Sequence, residues 1–136
     1  MNANEMTFGI EIETVAPESA LRNDGLRIGS YHYGIQVPYL PEGWKAERDG
    51  SIRGSNGGHP CEIVSPVLRG AEGLAQVVEV AKTLEAKGHR VNVSCGVHDR
   101  ILMPYGAPRS IETRRCISYG PAFASSTALS MALHTA

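Results

Sequence analysis

Between Met6 and Thr14 the chain alternates without a break: Met6, Phe8, Ile10 and Ile12 fall on one side, Thr7, Gly9, Glu11 and Glu13 on the other. A period of two places successive side chains on opposite faces of a strand, so one face of this segment must be covered by a core while the other is turned away from it. The apolar row needs a covering layer. Between Ala71 and Lys87, Leu74, Val77, Val78, Ala81 and Leu84 recur at spacings of three and four, which makes one apolar stripe on a helix. Gly88 follows as its C-terminal cap. Glu79 and Lys82 fall on its solvent side, a pairing worth about 0.2 to 0.5 kcal/mol.

Other segments fit the same plan. Trp44 to Arg48 reads as a short strand that ends at the turn dipeptide Asp49-Gly50, and Cys61 to Val64 as a central strand stopped by Ser65-Pro66. Val91, Val93, Cys95 and Val97 alternate with Asn92, Ser94, Gly96 and His98, which predicts another strand. A helix between two strands implies a crossover unit packed on one sheet face. Pro17 to Asp24 reads as a loop or short helical turn, Arg27 to Tyr39 as a bent strand or substrate-covering loop, and residues 53 to 60 as a glycine-rich connection. Beyond Asp99 the periodicity is lost until a weak apolar stretch from Ala124 to Ala132.

Composition narrows the functions. A chain of 136 residues has room for one domain, and 42% hydrophobic with 20% charged residues is ordinary for a soluble globular protein. The formal net charge of −1 gives no field to gather nucleic acid or anionic lipid. Cys61, Cys95 and Cys116 are odd in number and form no C-x-x-C pair, which fits reduced cytosol better than a disulfide framework. With no signal peptide and no apolar run long enough to span a bilayer, the expected location is cytoplasmic and the expected partners exclude membranes.

The polar faces carry the chemistry. Glu11 and Glu13, two apart on a strand, send carboxylates to one side at about 7 Å spacing, and like charges so placed repel unless a cation sits beside them. Carboxylates favour hard cations such as Mg²⁺ or Mn²⁺, and Glu62 and His98 would complete a set of three carboxylates and one imidazole. A structural reading stands beside each of these. Glu11 and Glu13 would form the solvated face of an edge strand, Asp49 would be the turn former before Gly50, and His98 a hydrogen-bonded structural histidine. A zinc site from His59, Cys61, Cys95 and His98 has the right ligand types but no finger spacing. Gly54 to Gly58 lacks the Lys-Ser/Thr of a phosphate-binding P-loop and precedes a strand instead of a helix.

In order along the chain, TFGIEIET at 7–14, W-x-x-x-x-DGSI at 44–52, CEIVSPVLRG at 61–70, the helix, and VNVSCGVH at 91–98 resemble the amidoligase family, carboxylate-amine ligases related to glutamate-cysteine ligase and glutamine synthetase. The resemblance covers roughly residues 6–98. It implies an α+β fold, a mainly antiparallel curved sheet with a covering helix, like that of glutamine synthetase and glutamate-cysteine ligase and incomplete at this length. It also implies ATP and Mg²⁺, with Mn²⁺ as a substitute, and an amide bond formed between a small-molecule or peptide carboxylate and an amine through an acyl phosphate. Carried over by position, Glu11 and Glu13 match the first-strand acidic pair on metal and nucleotide, Glu62 a further metal ligand, and His98 a residue near metal or phosphate. Asp49 and Ser65 would line the substrate end, while Arg53 and Arg69 are motif-unassigned candidates for phosphate.

The pattern then departs. The family continues C-G-x-H-x-H, whereas Asp99-Arg100 follow His98 here. Residues 1–98 are therefore expected to be the N-terminal part of the catalytic domain and 99–136 a divergent tail, from truncation or a shifted reading frame. That expectation keeps a non-catalytic binding module of the same fold as the alternative function, with the small zinc-binding domain behind it.

Overall fold

The structure, a computed structural model, describes residues 3–102. The tail beyond Leu102, with Cys116 and the stretch Ala124 to Ala132, lies outside the described residues. A 3-10 turn at Ala3–Glu5 leads into β1 (Thr7–Ala16), followed by α1 (Glu18–Arg22), β2 (Ile35–Gln36), β3 (Lys45–Glu47), β4 (His59–Val64), β5 (Leu68–Arg69), α2 (Gly70–Ala86) and β6 (Val97–Leu102). The fold is α+β, with an open, mainly antiparallel sheet and one main helix.

β1 is the centre of the sheet, not an edge. Glu11 stands opposite Val64 of β4 on one side and opposite His98 of β6 on the other. β5 continues along the β4 side by pairing with Thr7 and Phe8, while β3 and then β2 extend the sheet outward from β4. Every one of these pairings is antiparallel, so β4 and β6 run in the same direction on either side of β1 and α2 carries the chain across. The crossover read from a helix between two strands is thus present. At the break between β4 and β5, Ser65 Oγ accepts a hydrogen bond from Ile10 N at 2.8 Å and donates to Pro66 O at 2.7 Å. Its hydroxyl gives Ile10 N an acceptor at the point where Pro66, which has no N–H, interrupts the ladder.

The core lies on the apolar face of β1. Phe8, Ile10 and Ile12 pack with Cys61 and Ile63 of β4 and with Val77, Val80 and Leu84 of α2. Trp44 is completely buried there, and its Nε1 donates to Gln76 Oε1 at 2.7 Å, tying the start of β3 to the helix. α2 ends as the sequence predicts: Gly88 adopts φ 87°, its N–H meets Glu85 O at 2.9 Å, and His89 N–H meets Leu84 O at 3.0 Å. This is the paired Schellman arrangement that satisfies the last carbonyls of a helix.

Two expectations are corrected. The helical stripe is rotated: Gly73 is buried, whereas Leu74 is 52% exposed. A Cβ on Gly73 would lie 2.9 Å from Leu68 Cβ and 3.1 Å from Phe8 Cζ, so the helix sits down on the sheet at its glycine and turns Leu74 outward. The alternating stretch from Val91 is not a strand before Val97. Asn92 Oδ1 accepts from Ser94 N at 2.9 Å and Cys95 N donates to Asn92 O at 3.0 Å, so side chain and backbone close a turn where alternation predicts extension. Among the described residues no helix is long and apolar enough to cross a membrane.

Candidate metal centre

The polar face of the sheet collects its carboxylates by register. Glu13 of β1 stands opposite Glu62 of β4, and Glu62 stands opposite Glu47 of β3. Residues directly opposite on one face bring their Cβ atoms to about 5 Å, and like charges in that position are unfavourable. All three are buried, at 6%, 7% and 8% exposure for Glu13, Glu62 and Glu47. β1 is flanked on both sides and so is not an edge strand, and Glu13 is covered, whereas Glu11 is half-buried.

Each carboxylate is held differently. Glu13 Oε2 accepts from Gly96 N at 2.6 Å, and its Oε1 lies 3.3 Å from His98 Nε2. Asp49 Oδ1 accepts from both the N and Oγ of Ser51 at 2.7 Å, which is the turn predicted for Asp49-Gly50. Glu47 Oε1 accepts from His32 N at 3.3 Å, and His32 supplies that N–H from a left-handed conformation of φ 64°. Glu62 accepts no hydrogen bond from the described residues. Burial, and after it the charges of Glu11, Asp49, Glu47 and Glu13, push its carboxyl up to about 8.

One oxygen each from Glu13, Asp49 and Glu62 lies within 4.8 Å of the others. That donor set is all hard oxygen, and a buried carboxylate lacking a hydrogen-bond donor in the midst of four others is left with a proton or a cation as its partner. The residues fit Mg²⁺ or Mn²⁺. Of the residues expected from sequence, Glu13, Glu62 and Asp49 are thus brought together in one carboxylate cluster. Glu11 and His98 occupy the neighbouring register row. They face a cavity of about 200 Å³ whose wall also includes Gly9, Val64, Ser65 and Arg100. A Cβ on Gly9 would have Ser65 Oγ, 3.9 Å away, as its nearest neighbour, so the glycine leaves the cavity floor open.

Glu47 is not marked by the sequence as a member of this face. The signal was the alternation of Lys45, Glu47 and Asp49 in and beyond a three-residue strand, too short to establish a face without its partner. The zinc set is not assembled among the described residues. Cys61 belongs to the main core, while Cys95 is buried with Val15 and Ile52 in a separate cluster. Arg53 gives its backbone N to Ser94 Oγ at 2.9 Å, and Arg69 is exposed on β5.

No curated protein and no solved structure matches this chain. The family described as "Putative amidoligase enzyme" matches residues 4–101, which span β1, the acidic register and most of β6. With that match extending over most of the chain, and with the acidic strands it contains assembled on one sheet face, the chain belongs to the amidoligase family.

Proposed function

We propose that this chain carries the cation- and ATP-binding part of a carboxylate–amine ligase site, on a sheet of the glutamine synthetase and glutamate-cysteine ligase kind. The observation that supports it most is Glu62, 7% exposed and without a hydrogen-bond donor among the described residues, placed where Glu13 and Asp49 offer oxygens within 4.8 Å. A divalent cation held there would neutralise charge on phosphate oxygens, the main requirement of phosphoryl transfer. The chain's own residues supply the rest. Gly96 N fixes Glu13 Oε2, and the Ser51 bonds fix Asp49, so both carboxylates are oriented before any ligand arrives. His98 lines the cavity with Glu11 beside it, where it would border the phosphates. A substrate carboxylate oxygen bonds to the γ-phosphorus of ATP as the bond to ADP breaks. The amine nitrogen then bonds to the acyl carbon, phosphate leaves, and Glu11 receives the proton that the amine loses.

The test is acyl-phosphate trapping. The full chain is incubated with ATP, Mg²⁺, hydroxylamine and a panel of amino acids. Hydroxamate and ADP formed in equal amounts support the ligase. Saturable cation and ATP binding with no hydroxamate from any carboxylate assigns the non-catalytic binding module instead.

A further inference from the structure

We propose that the turn over Asn92–Cys95 is the positioning device of the cation site, with Asn92 as its key residue; the inference rests on the cation reading above. Asp49 lies past the end of β3 at Glu47, so the sheet ladder does not fix it. Its loop is clasped from the far side instead. Asn92 Nδ2 donates to Arg53 O at 2.8 Å, and Arg53 N donates to Ser94 Oγ at 2.9 Å. The clasp is itself rigid, because Asn92 Oδ1 accepts from Ser94 Oγ at 2.6 Å and from Ser94 N at 2.9 Å. Beneath it, Ile52 of the Asp49 loop and Cys95 of the turn are buried together against Val15. One residue further on, Gly96 N reaches Glu13 Oε2 at 2.6 Å.

The turn and the residue after it therefore hold two of the three carboxylates of the cluster in place: Glu13 through Gly96 N, and Asp49 by anchoring at Arg53 the loop within which Ser51 orients it. Both are held around Glu62, which has no donor of its own among the described residues. Second-layer hydrogen bonds of this type commonly govern metal affinity by 10- to 100-fold, since a misplaced ligand loses its share of the coordination. Asn92 touches no ligand and acts by position alone.

The full chain is titrated with Mn²⁺, free ion being read by electron paramagnetic resonance, in parallel with thermal melting without cation. Asn92→Asp keeps the acceptor that closes the turn, loses the Nδ2 donor to Arg53, and adds a negative charge. Charge alone would tighten Mn²⁺ binding, so a loss of affinity reports the broken clasp. The expected result is an affinity about tenfold weaker in Asn92→Asp and Asn92→Ala, with the melting temperature of Asn92→Asp within a few degrees of wild type. Ser94→Ala removes the acceptor of Arg53 N and gives the same weakening, which keeps the test open if an Asn92 variant does not fold. Folded Asn92→Asp and Ser94→Ala chains that bind Mn²⁺ as tightly as wild type overturn the proposal. Wild type without saturable Mn²⁺ binding overturns the cation reading itself, and the clasp with it.

Discussion

Glu62 and His89 are the two side chains on which acidity should act most visibly, and in opposite directions. The Glu62 carboxyl is raised from 4.5 to about 8 by burial and neighbouring carboxylates. A folded value above the unfolded one means that the folded chain holds its proton more tightly. This contribution is fully present below about pH 4.5 and is lost as pH rises through 8. Glu62→Gln mimics the protonated form, so without cation it should melt several degrees higher than wild type at pH 8.5 and equally at pH 4.5. In the presence of 10 mM Mg²⁺ the order at pH 8.5 should reverse. Differential scanning calorimetry at both pH values reads this directly.

His89 behaves as the converse. It is 5% exposed, with Nε2 2.7 Å from Tyr39 Oη and Nδ1 3.0 Å from Thr14 Oγ1, an arrangement that uses both nitrogens of a neutral ring. Burial lowers it from 6.5 to about 4, so the unfolded chain binds the proton first. Stability is present above pH 6.5 and is lost as pH falls through 4, by up to about 3 kcal/mol. His89→Gln cannot titrate. Urea unfolding between pH 6.5 and 4 should fall less steeply in that variant than in wild type, and an equal slope would remove His89 as the cause.

At the scale of elements, the seat of α2 on the sheet makes a contrast between neighbours. Gly73→Val would force methyl groups into Leu68 and Phe8, for a cost of about 1 to 3 kcal/mol, whereas Leu74→Ala on the outward side should change stability by less than about 0.5 kcal/mol. Leu84→Ala, at 3% exposure, should cost about 2 to 5 kcal/mol. Chemical denaturation of the three variants checks the order; a Leu74 effect as large as that of Leu84 would contradict the observed seat. The sequence predicts the stripe by period alone and picks Leu74, because hydrophobicity outweighs glycine in such a count. The docking glycine is visible only when the partner strand is in place. β1, β3, β4 and the Gly88 cap are local patterns and are legible in the sequence, although β1 runs on to Ala16 and β4 starts at His59, inside the stretch read as a connection. The turn at Asn92 is not, because the same residues satisfy a period of two and only the competition of the Asn92 and Ser94 side chains for the backbone ends the extension.

At the scale of the whole molecule, the site is a product of register. Glu11, Glu13, Glu62 and His98 are each recognisable by type and by family motif, yet which of them share a carboxylate cluster depends on pairings between strands far apart in sequence. Glu13 meets Glu62 because β1 and β4 pair at that step, Glu47 enters by pairing with Glu62, and Asp49 is brought in by its loop. A slip of one residue between β1 and β4 would send Glu62 to the apolar face and dissolve the cluster. Ser65 was legible as a motif residue, but its two backbone bonds at the break between strands appear only in the folded sheet.

The most direct measurement is calorimetric titration of ATP into the full chain with and without Mg²⁺, for wild type and Glu62→Gln. ATP binding is expected to require the cation and to fall about tenfold in Glu62→Gln. ATP binding of equal strength without Mg²⁺, or unchanged in folded Glu62→Gln, would contradict the assignment of the buried carboxylates as the cation centre.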